Sequence, residues 1–205
     1  MPAARQFGAP PRPTARESIT MSQLPTVAEA EATGEVAQIY DEIQREMGIP
    51  FVPNIDKALA ISPNALAGKW QVLRNVFLRT SLPTSLAAMI LYTVAAANKC
   101  NYCGSIHKVT CRTVGIDEDT LAALDSDLAG LSPRRVQAIV EFAKKCATDR
   151  HNLSDADYDS VREQGISDEE IVEIISLAAL GNYLDTIADS LKLEVDEAIA
   201  QALQG

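Results

Sequence analysis

The sequence predicts an all-α protein, and three observations carry that prediction. Between Pro83 and Lys99 there is no glycine or proline, and Leu86, Ala87, Met89, Ile90, Leu91, Val94 and Ala95 make the segment apolar around most of its circumference, as in a central buried helix. Helix-start chemistry recurs along the chain, and no proline follows Pro133. No stretch alternates polar and apolar residues with comparable strength, so no strand is expected.

The elements follow in order. Gly34 to Met47 is amphipathic, with Val36, Ile39, Tyr40, Ile43 and Met47 at helical spacing, and is closed by Gly48 and Pro50. A loop around Pro50 and Pro53 comes next. Ser62-Pro63 and Ser132-Pro133 each pair a capping side chain with a proline suited to the first helical position, so helices are expected to start there. Leu82-Pro83-Thr84-Ser85 opens the buried helix. Further helices are predicted over 101–114, stopped by Gly115, and over 117–124, 133–148, 154–163, 167–181, 182–191 and 195–203. Gly115-Ile116-Asp117 echoes Gly165-Ile166-Ser167, which reads as reused helix-start chemistry, with duplication as the alternative.

A chain of 205 residues with 47% hydrophobic content buries a core without staples and is expected to form one domain, over 23–205. Residues 1–22 hold Pro2, Pro10, Pro11 and Pro13 and arginines at 5, 12 and 16, without an apolar core, and read as a disordered tail rather than a secretory signal. The prolines also spoil the amphipathic helix of an organelle transit peptide. The net charge of -10 argues against nucleic acid or an anionic membrane as partner, and no uninterrupted apolar run is long enough to cross a bilayer. Four cysteines are too few for a secreted disulfide scaffold, so a reducing compartment, the cytoplasm, is expected.

The chemistry concentrates in Ala97-Asn-Lys-Cys-Asn-Tyr-Cys-Gly-Ser-Ile-His107. On a helix Cys100, Cys103 and His107 share one face, which brings a disulfide between the cysteines and proton exchange with the histidine within reach. A thiol attacks as thiolate, and a free cysteine, with a pKa of about 8.5, needs help to ionise at neutral pH. The expected helix start after Asn98-Lys99, the Lys99 charge and His107 one turn beyond Cys103 would all give that help. Zinc is the competing reading, through Cys100, Cys103, His107 and Cys111. On one continuous helix, however, Cys100 and Cys111 lie about 16 Å apart along the axis, too far for ligands that must all come within about 2.3 Å of one ion. No metal is therefore expected. Cys111 and Cys146 read as structural thiols, with a further redox partner as the alternative for Cys111, and His151 reads as an exposed loop residue.

These residues resemble the redox branch of the AhpD-like, carboxymuconolactone decarboxylase superfamily, in which an apolar helix precedes Asn-x-Cys-x-Tyr-Cys-x-x-x-His, here Asn98, Cys100, Tyr102, Cys103 and His107. The resemblance extends over residues 35 to 200 in helix order and is specific across 83–115. It implies an AhpD-like helical bundle with the cysteine pair at the N-terminus of a central helix. It also implies homo-oligomers, trimers or hexamers, and alkyl hydroperoxide or thiol–disulfide chemistry. The decarboxylase branch lacks the cysteine pair, so decarboxylation is not expected. The family's glutamate, twelve residues before the first cysteine, is Ala88 here. Tyr92, one turn further on, is a candidate substitute in the proton relay, against the plainer reading of a packed core tyrosine. Asn182 and Asp185, spaced i, i+3, lie on the helix that packs near the site in such folds and are candidates for it, against the plainer readings of capping and surface solvation.

The function this implies is a thiol-dependent hydroperoxide reductase. Cys103 gives its proton to His107, attacks the peroxide and becomes a sulfenic acid, which Cys100 resolves to a disulfide; a dithiol reductant, a lipoyl or thioredoxin-like protein, resets it. The reverse order, with Cys100 attacking first, stays open. Two alternatives stand beside it, a disulfide relay that serves a separate peroxidase and a non-catalytic redox sensor. No Gly-rich phosphate cradle occurs, so no nucleotide cofactor is expected and reducing power arrives through thiols.

Overall fold

The computed structural model describes residues 22–204; the tail expected over the first residues lies outside them, apart from Ser22, whose Oγ donates to the Leu191 carbonyl at 3.4 Å. Ten α-helices follow one another, and no strand occurs among the described residues. Helix α1 (Gly34–Met47) has the expected bounds, buries Val36, Ile39, Tyr40 and Ile43, and stops at Gly48 in the left-handed conformation. Where a loop is expected around Pro50 and Pro53, α2 (Asn54–Leu59) forms directly after Pro53. Its cap is tertiary: the Asn54 N–H donates to Asp196 Oδ1 at 2.8 Å from the far end of the chain. Helix α3 (Pro63–Leu73) starts after Ser62 as expected and runs on through a π-helical turn at Arg74–Leu78.

Helix α4 (Thr84–Asn98) is the centre of the bundle, with every residue from Leu86 to Ala95 buried, and it packs against α5 (Asn101–Thr113), α7 (Arg134–Thr148) and α9 (Asp168–Leu191). Helices α6 (Glu118–Leu124), α8 (Asp155–Arg162) and α10 (Glu197–Ala202) complete the chain. Pro133 stands at the cap of α7 rather than inside it. The internal echo is helix-junction chemistry: Gly115 and Gly165 both take positive φ, and the N–H of Ile116 and of Ile166 returns to the carbonyl five residues back, Cys111 and Val161.

The two helices predicted over 167–181 and 182–191 are a single helix of 24 residues, α9. Gly181 marks a close approach and not a break, because a Cβ built there would lie 2.7 Å from Val94 Cγ1 of α4. This uninterrupted α9 is also long and apolar enough to cross a membrane, with mean hydropathy 1.4, but half of that window is buried inside the bundle.

Candidate active site

The cysteine pair sits where α4 hands over to α5. Helix α4 ends at Asn98, Lys99 adopts the left-handed conformation, and Cys100 becomes the cap of α5, its carbonyl accepting the Gly104 N–H at 2.9 Å. Tyr102 anchors this turn. Its hydroxyl donates to Asp196 Oδ2 at 2.9 Å and accepts the Ile55 N–H at 3.0 Å, tying α5 to α2 and to the segment before α10. Both thiols are free, 2% and 3% exposed, and their sulfurs lie with a carboxylate oxygen of Asp185 so that all three atoms are within 4.8 Å of one another.

Asp185 enters from α9, one helical turn beyond Gly181. Its Oδ2 accepts from Asn98 Nδ2 at 2.7 Å; the same amide donates to Asn182 Oδ1 at 2.7 Å, and Asn182 Nδ2 donates to the Ala147 carbonyl at 2.9 Å. Asp185 Oδ1 is buried and makes no hydrogen bond, while a carboxylate oxygen of the residue lies within 4.8 Å of both sulfurs. Burial raises the proton affinity of Asp185 against the opposing hydrogen bonds from Asn98 and the thiols. The sequence reading expected the helix start, Lys99 and His107 to lower the thiol pKa. For Cys103 the balance goes the other way: its hydrogen bond with Cys100, burial and the Asp185 charge push it well above the ordinary thiol range.

The other expected residues flank this cluster on two sides. His107 is buried one turn beyond Cys103, and both border a small cavity of about 60 Å³ with apolar walls that include Met47, Phe77, Leu91 and Leu184. The imidazole makes no hydrogen bond among the described residues; burial and then the Lys69 charge lower its pKa to about 4, so it is neutral at pH 7. Lys69 borders the same cavity and is held by Asp56, both oxygens at 3.0 Å, in an ion pair buried on both sides. Tyr92 lies on the opposite side. Its hydroxyl donates to Asp125, and it lines a 310 Å³ cavity with Lys99, Cys100, Lys108 and Asp125. Ala88 is fully buried.

Cys111 and Cys146 stay outside the cluster, and burial raises them to about 12 and about 11. The set weighed for zinc is thus not assembled. Cys100, Cys103 and Asp185 come together instead, one donor short of the four in a tetrahedral structural site. His151 is exposed in the turn Arg150–Asn152, as expected. Lys69 and Asp56 escaped the sequence reading, since nothing local marks a lysine on an amphipathic helix as buried.

The helical bundle built on the central apolar helix α4 is the AhpD-like fold. Two solved structures share it: a peroxidase-related AhpD-core protein from Ralstonia eutropha, with TM-score 0.80 and 24% identity over 89% of this chain and 96% of that one, and a peroxidase-related protein from Silicibacter, with TM-score 0.74 and 21% identity over 89% and 97%. The debrominase Bmp8, solved with 2,3,4-tribromopyrrole, has the same fold at TM-score 0.73 and 17% identity, over 89% of this chain and 96% of that one. No protein-family model matches the chain. In sequence it is 30% identical over 113 residues to an alkyl hydroperoxide reductase of Mycobacterium tuberculosis; the match takes in 55% of this chain and 31% of that longer protein. The chain has the AhpD-like fold, and it spans about a third of the length of the mycobacterial relative that it matches.

Proposed function

We propose that the protein reduces small alkyl hydroperoxides with the Cys100–Cys103 dithiol. The observation that carries this reading is the convergence of two buried free thiols beside an apolar cavity that Cys103 shares with His107. An alkyl chain suits the apolar walls, and the reacting oxygens would lie between Cys103 and the neutral imidazole. Cys103 attacks the distal oxygen, the O–O bond breaks, and His107 passes the thiol proton to the departing alkoxide, which leaves as alcohol. The Cys103 sulfenic acid condenses with Cys100 to a disulfide and water, and a dithiol, lipoyl or thioredoxin-like, reduces it. Tyr92, bonded to Asp125 on the Cys100 side, shapes the face that the reductant approaches. The enzyme works in a reducing cytoplasm as a trimer or hexamer.

One observation favours a second reading. With the Cys103 thiol held protonated by its surroundings and alanine at position 88, peroxide attack would be slow, and the dithiol would serve better as a disulfide relay to a separate peroxidase.

The deciding experiment follows hydroperoxide loss and free thiols in wild type, Cys100→Ser, Cys103→Ser and His107→Ala, with dihydrolipoamide as reductant. Loss of two thiols per chain, with turnover abolished by either serine, is expected. Oxidation without turnover would favour the relay, and thiols inert to peroxide would end both the peroxidase reading and the assignment of Cys103.

A further inference from the structure

We propose that Asp185 is the acid–base group of disulfide closure, taking the proton of Cys100 as it attacks and delivering it to the oxygen that leaves Cys103. The inference rests on the dithiol reading above and adds a residue that the reading does not use.

The geometry sets out the need. His107 borders the cavity on the Cys103 side and not the one that Cys100 lines. On the Cys100 side, Lys99 and Lys108 are cations, and the Tyr92 hydroxyl is engaged with Asp125. Asp185 is the carboxylate that meets both sulfurs. Asn98 fixes one of its oxygens, and the other is buried without a hydrogen-bond partner and free to take a proton. In the closing step the Cys100 sulfur bonds to the Cys103 sulfur, the S–O bond of the sulfenic acid breaks, and hydroxide departs. The Cys100 proton moves to Asp185 and then to that hydroxide, giving water and restoring the carboxylate; one sulfur is oxidised and the other reduced by one electron each. In the reverse sense, when a dithiol opens the disulfide, protonated Asp185 hands its proton to the cysteine sulfur that leaves.

Burial suits the group to this task, because it brings the carboxyl's proton affinity toward that of its partners. The groups that face it are Cys100 and Cys103 from α5, Asn98 from α4 and Asp189 from its own helix. Arg150 and Tyr158 line, with Asp185, a 730 Å³ cavity open to solvent through which the proton can exchange.

The test is single turnover of wild type, Asp185→Asn and Asp185→Glu with an alkyl hydroperoxide, trapping Cys103 sulfenic acid with dimedone while disulfide formation is timed. General acid–base catalysis of this kind is worth on the order of 100-fold, so Asp185→Asn should close about 100-fold more slowly and accumulate sulfenic acid, with Asp185→Glu in between. Closure in wild type should also show a pH inflection that Asp185→Asn lacks. Closure by a folded Asp185→Asn within threefold of wild type overturns the proposal. Should that variant fail to fold, the wild-type disulfide, formed with diamide, is reduced with dithiothreitol across pH, and the absence of any carboxylate inflection overturns it as well. A wild type inert to hydroperoxide refutes the peroxidase reading alone, since the dithiothreitol arm still decides the role of Asp185.

Discussion

The seam between α4 and α9 holds Asp185 against the dithiol, and Gly181→Ala tests that seam. A methyl at 181 would sit 2.7 Å from Val94 Cγ1, 3.0 Å from its Cβ and 3.5 Å from its Cγ2. Carbon atoms pack best at about 3.5–4.0 Å, so the nearest approach is about 1 Å too short. Val94 cannot swing aside, because it is fully buried and a β-branched residue in a helix has essentially one rotamer. Alanine gains about 1 kcal/mol of helix propensity over glycine, while overpacking a filled core costs about 1–3 kcal/mol. With a rigid neighbour the upper part of that range applies, and the net expectation is a loss of about 1–2 kcal/mol. Urea denaturation of Gly181→Ala, Val94→Ala and the double variant measures it. In the double variant the Cγ1 clash is gone and only the 3.0 Å approach to the Cβ at position 94 remains, so the two substitutions should couple favourably by about 1 kcal/mol or more. A Gly181→Ala protein as stable as wild type, or a strictly additive double variant, would refute the close-packed seam.

Other consequences are measurable. His107, lowered from 6.5 to about 4 in the fold, binds a proton less readily folded than unfolded. Its contribution is therefore complete above pH 6.5 and is lost as pH falls toward 4, by about 3 kcal/mol in all; urea midpoints across that window should flatten in His107→Leu. Lys69→Met leaves the fully buried Asp56 carboxylate without its cation and should cost about 3–5 kcal/mol, whereas replacing both partners with apolar residues should recover most of it. Tyr102→Phe strips the Ile55 N–H of its acceptor and Asp196 of a donor, for a loss of about 1–3 kcal/mol in thermal or urea unfolding. Cys111→Ser and Cys146→Ser should still lose two thiols per chain on oxidation by hydroperoxide, as both sulfurs lie outside the cluster; a smaller loss, read by thiol titration, would bring one of them into the chemistry.

Local signals reached as far as local causes do. The apolar run of α4, the amphipathic face of α1 and the capping residues of α8 and α9 are contained within a few residues, and these helices start close to where their sequences put them. Helix α2 was hidden because its cap is Asp196, and α9 was divided because a glycine required by a neighbouring helix looks, in one dimension, like a glycine that ends its own. The site divides in the same way. Spacing puts Cys100, Cys103 and His107 on one face, and folding adds a place for His107 beside the Cys103 cavity and a carboxylate beside the thiols. The Tyr92 hydroxyl is turned to Asp125 by a contact between α4 and the residue that ends α6, which no spacing along α4 encodes.

That carboxylate links the family pattern to this chain's own chemistry. The resemblance implies an acid on α4, twelve residues before the first cysteine, but Ala88 there is fully buried, in a helix packed against α5, α7 and α9. An ionised side chain at that point would need a partner within the core. The acid of this site arrives from α9 instead, across the seam that Gly181 permits, and is oriented by Asn98, a residue of the cysteine motif itself. An acid in this position meets both sulfurs, and its charge opposes ionisation of Cys103. The site is thereby biased away from a standing thiolate and toward steps in which a proton leaves as a bond forms. Disulfide closure and opening are such steps, and they are common to the peroxidase and the relay.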